Sequence, residues 1–393
     1  MGSQAEAALN LFVSDANAGG GVVLGSVRHE LSLECIDDES RADRCTEIYR
    51  TLCANNRVDV LLGPYSSEMT RAASSVARDS GMLLVNHGGA DDAIFETGNR
   101  MIVGVLSAAS DYFKSLATLL ASLKFWRKRL AIISGPGSFA LDVINGLERE
   151  CKTRAVLRRG VRIRLKQIRV RDSAPDLQAM LQRIKRNRIN ALVSAGSFED
   201  DVAVMKAITD SGADVPVLAC VAAGVHRFRT AMGEAAEGVI GPSQWEHQVE
   251  LEPELGPSAK AFARRMRSQG ANGSCDYPAA QAYAAGLLSI EALRMVGRVD
   301  QEGMRAAFGD LRTTTLFGDF AIDRVTGKQF GHKVLLVQWH DSEKVVIHPA
   351  AHTEVGLLEL PSGWQILLAS LQALRLKRPE NREPQDGPDQ DKP

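Results

Sequence analysis

Short apolar runs and longer amphipathic stretches alternate along most of the chain. Runs such as residues 58–62 and 128–134 have the length and composition of buried strands, and the stretches between such runs, of about ten to fifteen residues, carry apolar positions at helical spacing. Strands that alternate with helices predict parallel sheets covered by helices on both faces. The predicted strands are too many for one compact sheet, so the pattern predicts an α/β chain with two doubly wound, parallel-sheet lobes.

The pattern changes at several places. The strand in residues 101–110 leads into a new set of strand and helix units, which puts a lobe boundary there. Residues 317–349 switch to strands joined by glycine-containing turns, which is typical of antiparallel hairpins. Residues 29–40 (HELSLECIDDES) alternate and predict a strand. The polar, proline-rich stretch 378–393 predicts a disordered tail.

Composition narrows the function classes. The 393 residues carry a formal net charge of −1 at pH 7, which argues against nucleic acid or an anionic membrane as the main partner. No apolar segment is long enough to span a bilayer. Residues 1–15 have neither a basic start nor a long apolar core, so we expect no export signal and, for the chain as written, a cytoplasmic location. The six cysteines form no CxxC pair and predict buried free thiols.

Residues 61–74 (LLGPYSSEMTRAAS) hold the first candidate chemistry. An apolar strand runs through Gly-Pro into Ser66 and Ser67 at the predicted start of a helix. The first turn of a helix leaves backbone N–H groups without partners and carries a partial positive charge, so it suits an anionic or strongly polar ligand group. The alternative is that one serine only caps its own helix.

Six sequence motifs, in a fixed order along the chain, carry a family resemblance. They are NAGGG (17–21), VDVLLGPYSSEMTRAAS (58–74), GMLLVNHGGADDAIF (81–95), AAEGVIGP (235–242), YPAAQAYAAG (277–286) and FGDFAIDRVTG (317–327). Because of these six motifs, the chain resembles a type I periplasmic binding protein of the Leu/Ile/Val-binding and amide-binding kind. The resemblance covers roughly residues 4 to 345. These proteins are the substrate-binding components of ABC importers.

The resemblance implies two lobes that are joined by a three-crossover hinge and clamp a ligand between them. The implied boundaries are residues 1–105 with 244–320 for lobe 1, 106–243 with 321–350 for lobe 2, 351–378 for a C-terminal extension and 379–393 for a disordered tail. The family starts with a central strand, whereas this chain starts at the first helix and lacks that strand. Either the chain is truncated, or another segment fills the gap; the strand-like run 355–360 (VGLLEL) is one candidate.

The resemblance also implies the ligand contacts. In lobe 1 these are Ser66, Ser67, Gly88, Gly89 and Ala90, with His87 in the same turn as a further candidate; in lobe 2 they are Phe139, Ser197, Phe198, Val221 and Ala222. Family members that hold α-amino acids place an acid for the ammonium near Val221 and Ala222, and this chain has none there. A buried ammonium without a partner is costly, so an amide, a carboxylate or an aromatic acid suits the site better.

Three other sequence signals suggest different functions. Gly135, Gly137 and Ala140 match the GxGxxA dinucleotide fingerprint, but Asp172 is a doubtful ribose acid and a ligand loop is the better interpretation. In the basic run 152–171, the alternation from Arg162 to Lys166 puts the charges on one strand face, which predicts a solvated edge strand. The histidines show no metal-binding spacing and no nucleophile motif occurs.

The sequence therefore predicts a non-enzymatic receptor with no cofactor and no metal. Its hinge closes on a small polar organic ligand, and its partners are the membrane subunits of an ABC transporter. The resemblance implies a periplasmic location. The alternatives are a cytoplasmic sensor that controls a regulatory partner and, less favoured, an NAD(P)-dependent oxidoreductase.

Overall fold

The computed structural model describes residues 1–54, 58–123, 128–168, 174–268 and 275–349. The predicted C-terminal extension, the tail, the run 355–360 and Asp172 lie outside the described residues.

Helices and strands alternate as the hydrophobic pattern predicts. The helices are α1 (Gly2–Ala18), α2 (Ala42–Cys53), α3 (Ser67–Ser80), α4 (Ala93–Glu96), α5 (Lys114–Ser122), α6 (Ser138–Cys151), α7 (Arg154–Arg158), α8 (Ala174–Asn187), α9 (Phe198–Asp210), α10 (His226–Met232), α11 (Ala259–Ser268), α12 (Tyr277–Val296) and α13 (Gln301–Asp310). The strands are β1 (Val22–Leu24), β2 (Val27–His29), β3 (Leu61–Leu62), β4 (Leu84–Asn86), β5 (Ile102–Gly104), β6 (Lys128–Ser134), β7 (Val161–Ile168), β8 (Ala191–Ala195), β9 (Val217–Cys220), β10 (Ile240–Ser243), β11 (Thr313–Thr315), β12 (Gly318–Phe320), β13 (Leu335–His340) and β14 (Glu343–His348).

Two main sheets form the two lobes. The first lobe holds a parallel sheet in the order β3-β4-β5. The second holds a seven-stranded sheet in the order β14-β13-β10-β9-β8-β6-β7, in which neighbours from β10 to β7 are parallel and β13 pairs antiparallel with β10 and β14. The predicted α/β fold is confirmed.

Helix α3 shows how the sequence sets these elements. Its buried residues Met69, Ala73, Val76 and Ala77 recur at helical spacing and pack on the sheet side. Gly81 ends the helix in the left-handed conformation, with φ 66°. The long helix α12 is buried nearly all round and packs against α1.

Three connections between the lobes meet at one buried cluster. Ser107 follows β5, Gln244 follows β10 and His332 precedes β13. The Ser107 amide donates to Gln244 Oε1 and Gln244 Nε2 donates back to the Ser107 carbonyl, both at 3.0 Å. The His332 ring lies between them, with Nδ1 2.7 Å from Ser107 Oγ and Nε2 2.8 Å from the Gln244 carbonyl. These contacts form the three-crossover hinge that the resemblance implies.

Two expectations need correction. Within residues 29–40, only His29 belongs to a strand, because the described residues offer residues 30–38 no strand to pair with. The thiols are all free, but Cys35 is exposed and Cys53 half-buried rather than buried. In contrast, the alternating part of the basic run is an edge strand, as predicted: β7 ends the second sheet, and Arg162, Arg164 and Lys166 on it are exposed. The start of the run forms helix α7.

Candidate functional site

The loop between β3 and α3 lies at the carboxyl end of the first sheet. Ser66 is the N-cap of α3, and its hydroxyl accepts from the Met69 amide at 3.4 Å. Its backbone has φ 108° and ψ 155°, a conformation that L-residues rarely adopt and that costs of order 1–3 kcal/mol. Ser67 is the first residue of α3, and its hydroxyl binds amides of the turn after β4 instead of capping the helix. The capping role therefore falls to Ser66 alone.

The turn after β4 is held together by Asn86. Asn86 Oδ1 accepts from the amides of Gly88 (3.1 Å) and Gly89 (2.8 Å), and Asn86 Nδ2 donates to the Gly89 carbonyl at 2.7 Å. A Cβ on Gly88 would lie 2.0 Å from the Pro64 carbonyl oxygen, so only glycine permits this approach of the two loops. The amides of Gly88 and Gly89 thus bind Asn86.

Ser67 meets that turn. Its Oγ accepts from the Ala90 amide at 3.2 Å and from the Asp91 amide at 3.1 Å. A serine hydroxyl has two acceptor positions and one proton. Because both acceptor positions are used, the proton of Ser67 is free to be donated to a further oxygen. The structure thus brings together Ser67 and Ala90, two of the residues predicted to contact the ligand from lobe 1.

Three tyrosines that the sequence analysis did not single out surround this loop. Tyr65 precedes Ser66, and its hydroxyl lies 3.4 Å from the Tyr277 hydroxyl. The Tyr112 hydroxyl accepts from Gln244 Nε2 at 3.1 Å, next to the hinge. Burial raises the pKa of Tyr277, and the neighbouring Tyr65 and Tyr112 raise it further. Each lies within two residues of a helix start: Tyr65 before α3, Tyr112 before α5 and Tyr277 as the first residue of α12. Their meeting is visible only once the crossovers are known.

Phe139 is the second-lobe residue that faces this group. It lies in the first turn of α6, half-buried, and its ring meets the Tyr112 ring edge-on with centroids 5.5 Å apart. Gly137 caps α6 with φ 103°. Phe139 and Tyr112 therefore give the site an aromatic wall.

Other predicted second-lobe contacts are engaged in local structure. Ser197 and Asp200 form a capping box at the start of α9, with Ser197 Oγ accepting from the Asp200 amide at 3.1 Å. The Phe198 ring lies under the Arg227 guanidinium, 4.2 Å from centroid to carbon. No described hydrogen bond or ring contact joins these residues to Ser67 or Tyr112.

The turn that holds Val221 and Ala222 rests on a buried acid. Asp201 Oδ2 accepts from the Ala222 amide at 3.0 Å, and Asp201 Oδ1 accepts from Ser194 Oγ at 2.7 Å. Burial raises the pKa of Asp201 to about 6, against these hydrogen bonds. The carboxyl group of Asp201 is thus used inside the second lobe.

A polar cluster connects the two lobes across the site. Arg71 and Asp91 of the first lobe form an ion pair, and both bind Ser138 at the start of α6. Arg71 donates to Ser138 Oγ at 2.6 Å, and the Ser138 hydroxyl donates to the Asp91 carboxylate. The Asp92 amide also donates to Asp142 Oδ2 at 3.0 Å. Burial, followed by the hydrogen bond with Asp91, raises the pKa of Asp142 to about 6.

Two buried polar side chains near these elements lack partners among the described residues. His87 Nδ1 is one, and burial lowers the pKa of His87 to about 4, so the ring is neutral at pH 7. Gln281 lies one turn after Tyr277 on α12, is fully buried, and has neither amide atom bonded. Buried groups in this state are commonly completed by a ligand, water or further chain. Among the described residues, no cluster of His, Cys, Asp or Glu is arranged to hold a metal ion.

Comparison with known proteins gives a consistent result. A family model described as periplasmic binding protein matches residues 1–344. The ABC transporter substrate-binding protein from Desulfitobacterium hafniense in complex with leucine has 19% identity and a TM-score of 0.71, over 87% of this chain and 95% of that one.

Two further solved structures are similar. The branched-chain amino acid transporter substrate-binding protein of Streptococcus pneumoniae with isoleucine has 18% identity and a TM-score of 0.73, over 92% of this chain and 95% of that one. The solute-binding protein of an ABC transporter from Rhodopseudomonas palustris with 3,4-dihydroxybenzoic acid has 19% identity and a TM-score of 0.70, over 87% and 90%. None of the described helices combines the length and apolar character needed to cross a lipid bilayer.

Proposed function

Because the chain belongs to the periplasmic binding protein family, whose members bind ligands and are not enzymes, we propose that it binds a small organic acid or amide between its lobes and delivers it to an ABC importer. The observation that carries the proposal is the meeting of Ser67 with the Ala90 and Asp91 amides. A hydroxyl polarised by two amides, at a helix N-terminus, is a good donor to a carboxylate or amide oxygen.

The charges around the site favour a ligand without an ammonium group. Asp91 is bound to Arg71 and Ser138, and Asp201 is bound to Ser194 and Ala222. Neither acid is left to pair with a buried cation, and an unpaired buried cation is strongly disfavoured. The ligands named for the neighbours, leucine, isoleucine and 3,4-dihydroxybenzoic acid, all carry a carboxylate, and the last has no ammonium.

The aromatic wall favours a ligand with an apolar or aromatic body. Tyr112 and Phe139 lie edge to face, and Tyr65 and Tyr277 lie at the first-lobe loop. Such rings bind flat apolar groups well, and the tyrosine hydroxyls donate hydrogen bonds to polar substituents or accept them. Closure about the Ser107–Gln244–His332 cluster would enclose the ligand, with Ser138 bound to Asp91 in the closed form.

A ligand panel tests the proposal. Thermal unfolding and isothermal titration calorimetry are run with benzoate, 3,4-dihydroxybenzoate, benzamide, 4-methylpentanoate and leucine, the last two differing by the ammonium group. A ligand at about a hundred times its dissociation constant adds roughly 2.7 kcal/mol to the free energy of unfolding. We expect a carboxylate or amide without an ammonium group to raise the unfolding temperature more than leucine does. A preference for leucine would contradict the ligand class.

A matched pair of serine variants tests the site. Ser67→Ala removes the donor to the ligand, and we expect the dissociation constant of the best ligand to rise about 10- to 100-fold, the effect of a lost hydrogen bond to a charged group. Ser197→Ala removes a helix cap and should lower the free energy of unfolding by about 1 kcal/mol with unchanged ligand affinity. Equal loss of affinity in both variants would contradict the assignment.

The partner is tested separately. An importer predicts ligand-dependent binding of the protein to the transporter's membrane subunits in proteoliposomes, because the closed form is the one that a ligand stabilises. The sensor alternative predicts that the ligand instead changes binding to a soluble regulatory protein, with no effect on proteoliposomes.

A further inference from the structure

A buried lysine lies beside the start of α12. Lys344 is on β14, the last strand of the second sheet, and is 2% exposed. Its Nζ donates to Glu246 Oε1 at 2.7 Å and to Asp276 Oδ1 at 2.9 Å. A third bond goes to the Gly224 carbonyl at 3.0 Å. Because an ammonium group has three protons, every donor of Lys344 is used inside the protein.

The two acids differ in how firmly they hold their charge. Burial alone would lower the pKa of Lys344, but the charges of Glu246 and Asp276 and the hydrogen bonds to them hold it above its ordinary value. Burial raises the pKa of Glu246 in spite of Lys344. Burial would also raise the pKa of Asp276, but Lys344 and His226 hold it below its ordinary value. At pH 7, Lys344 is therefore an ammonium and Asp276 a carboxylate.

Asp276 connects the lysine to the tyrosines of the site. It directly precedes Tyr277, the first residue of α12, whose hydroxyl lies 3.4 Å from the hydroxyl of Tyr65. Burial raises the pKa of Tyr65 and of Tyr277, and the charge of Asp276 raises both further. The charge of this buried carboxylate thus acts on the residues next to the proposed ligand position.

The other contacts of Asp276 come from His226 and Gln4. The His226 amide donates to both carboxylate oxygens at 3.2 Å, and His226 Nδ1 lies 2.6 Å from Oδ1. Gln4 Nε2 donates to Oδ2 at 3.4 Å. The two amide donors are neutral, whereas Lys344 carries a full positive charge. Removing one partner of a buried ion pair leaves a charge that is strongly disfavoured unless another cation takes the vacated position.

We propose that Lys344 is a specificity-determining residue: its ammonium pairs with Asp276 in place of a ligand ammonium, so the site rejects amino acids. The inference rests on the proposed function. Without Lys344, Asp276 is a buried carboxylate beside Tyr277 that favours a ligand carrying its own ammonium group. In a purely structural role, the ion pair only holds α12 to the second sheet, and its loss lowers stability without changing the ligand preference.

Two charge-balanced double variants test the proposal. The first, Lys344→Met with Glu246→Gln, keeps Asp276; the second, Lys344→Met with Asp276→Asn, keeps Glu246. Each loses one cation and one anion. Calorimetry gives the dissociation constants of leucine and 4-methylpentanoate, which differ only by the ammonium group. We expect their ratio to shift toward leucine by about 10- to 100-fold in the first variant, the effect of a hydrogen bond to a charged group, and to stay at the wild-type value in the second. An unchanged ratio in the first, or equal shifts in both, would overturn the proposal.

A second probe separates this inference from the proposed function. Thermal unfolding of the wild type and both double variants is followed in methylammonium chloride, with sodium chloride at the same ionic strength as the control. We expect methylammonium to raise the unfolding temperature of the first variant alone, or to restore its cooperative transition where sodium chloride does not support folding.

The two failures then differ. If methylammonium stabilises the first variant no more than the wild type, Asp276 accepts no external ammonium and the proposal is overturned, whichever acids the wild type binds. A wild-type protein that binds no member of the ligand panel, with a first variant that responds to methylammonium, contradicts the proposed function and leaves the role of Lys344 at Asp276 supported.

Discussion

The two lobes use the same loop geometry for different purposes. The residue before α3 is Ser66, with φ 108° and ψ 155°, and the residue before α6 is Gly137, with φ 103° and ψ 155°. Each is followed by a serine that starts the helix. Ser67 binds the Ala90 and Asp91 amides of its own lobe, whereas Ser138 reaches across to Asp91 and Arg71 of the other lobe.

The difference indicates that one loop binds the ligand and the other closes the lobes over it. Lobe 1 keeps a serine in a conformation that suits glycine, and its second serine accepts hydrogen bonds from two amides of the same lobe. Lobe 2 uses glycine at the equivalent position, and its serine contacts the first lobe. We infer that the lobe 1 loop seats the polar group of the ligand and that the lobe 2 loop holds the lobes together over it.

The largest effect is expected at Gly88, where the two lobe 1 loops touch. Gly88→Ala places a Cβ 2.0 Å from the Pro64 carbonyl oxygen and 2.7 Å from Tyr65 Cα, so the loops must separate. We expect the free energy of unfolding, measured with urea, to fall by about 3 kcal/mol or more, and ligand binding to be lost. Gly212→Ala, where φ is positive but no atom lies within 4 Å, is the control and should cost less. A loss at Gly88 no larger than at Gly212 would contradict the close contact.

The two cap positions should respond in opposite directions. Gly137→Ala introduces backbone strain without a clash, since no atom lies within 4 Å of the added Cβ, and should lower the free energy of unfolding by about 1–2 kcal/mol. Ser66→Gly relieves strain and loses a weak cap, and should raise it by about 1 kcal/mol. Urea titration of both variants checks the pair, and a destabilised Ser66→Gly would show that the cap outweighs the strain.

The smallest effect is a pH dependence of closure. The pKa of Asp142 is raised to about 6 by burial and by its hydrogen bond with Asp91, in contacts that join the lobes. A raised pKa means that the joined form binds the proton more tightly, so its advantage is complete below the ordinary aspartate value and is lost as pH rises through about 6. Ligand affinity should therefore increase about three- to tenfold from pH 7.5 to pH 5.

Two other acids, Asp91 and Asp92, lie beside Asp142. For Asp91, burial alone would raise the pKa, but hydrogen bonds from Asp142, Ser138 and Ala93, with the charge of Arg71, hold it below its ordinary value. Any effect of Asp91 therefore appears only at more acidic pH. Asp92 is paired with Lys328. Asp142→Asn keeps the shape and removes the titration, so its affinity should be flat from pH 7.5 to pH 5; an unchanged pH slope would assign the titration elsewhere.

Much of lobe 1 was predictable because its parts are local. The strand, the Gly-Pro loop and the helix start lie within residues 61–74, and parallel strands end at one edge of the sheet, so Ser67 and Ala90 had to meet. The sequence did not show that Asn86 takes the amides of Gly88 and Gly89. That bond depends on a side-chain orientation that is fixed only by packing.

Contacts that cross the lobes were not predictable from the residues alone. Tyr65, Tyr112 and Tyr277 come from three distant segments, and their meeting depends on how the crossovers return the chain. The same holds for Ser138 with Asp91. The strand expected in residues 29–40 failed for a related reason, since alternation predicts a strand only where another strand is present to pair with it.

The most direct test of the division between seating and closure is stopped-flow and calorimetric binding of one ligand to Ser67→Ala and Ser138→Ala. The account predicts that Ser67→Ala loses at least tenfold more affinity than Ser138→Ala, and that Ser138→Ala mainly speeds dissociation, because closure sets the release rate. Equal losses, or a greater loss in Ser138→Ala, would contradict the claim that lobe 1 seats the polar group of the ligand.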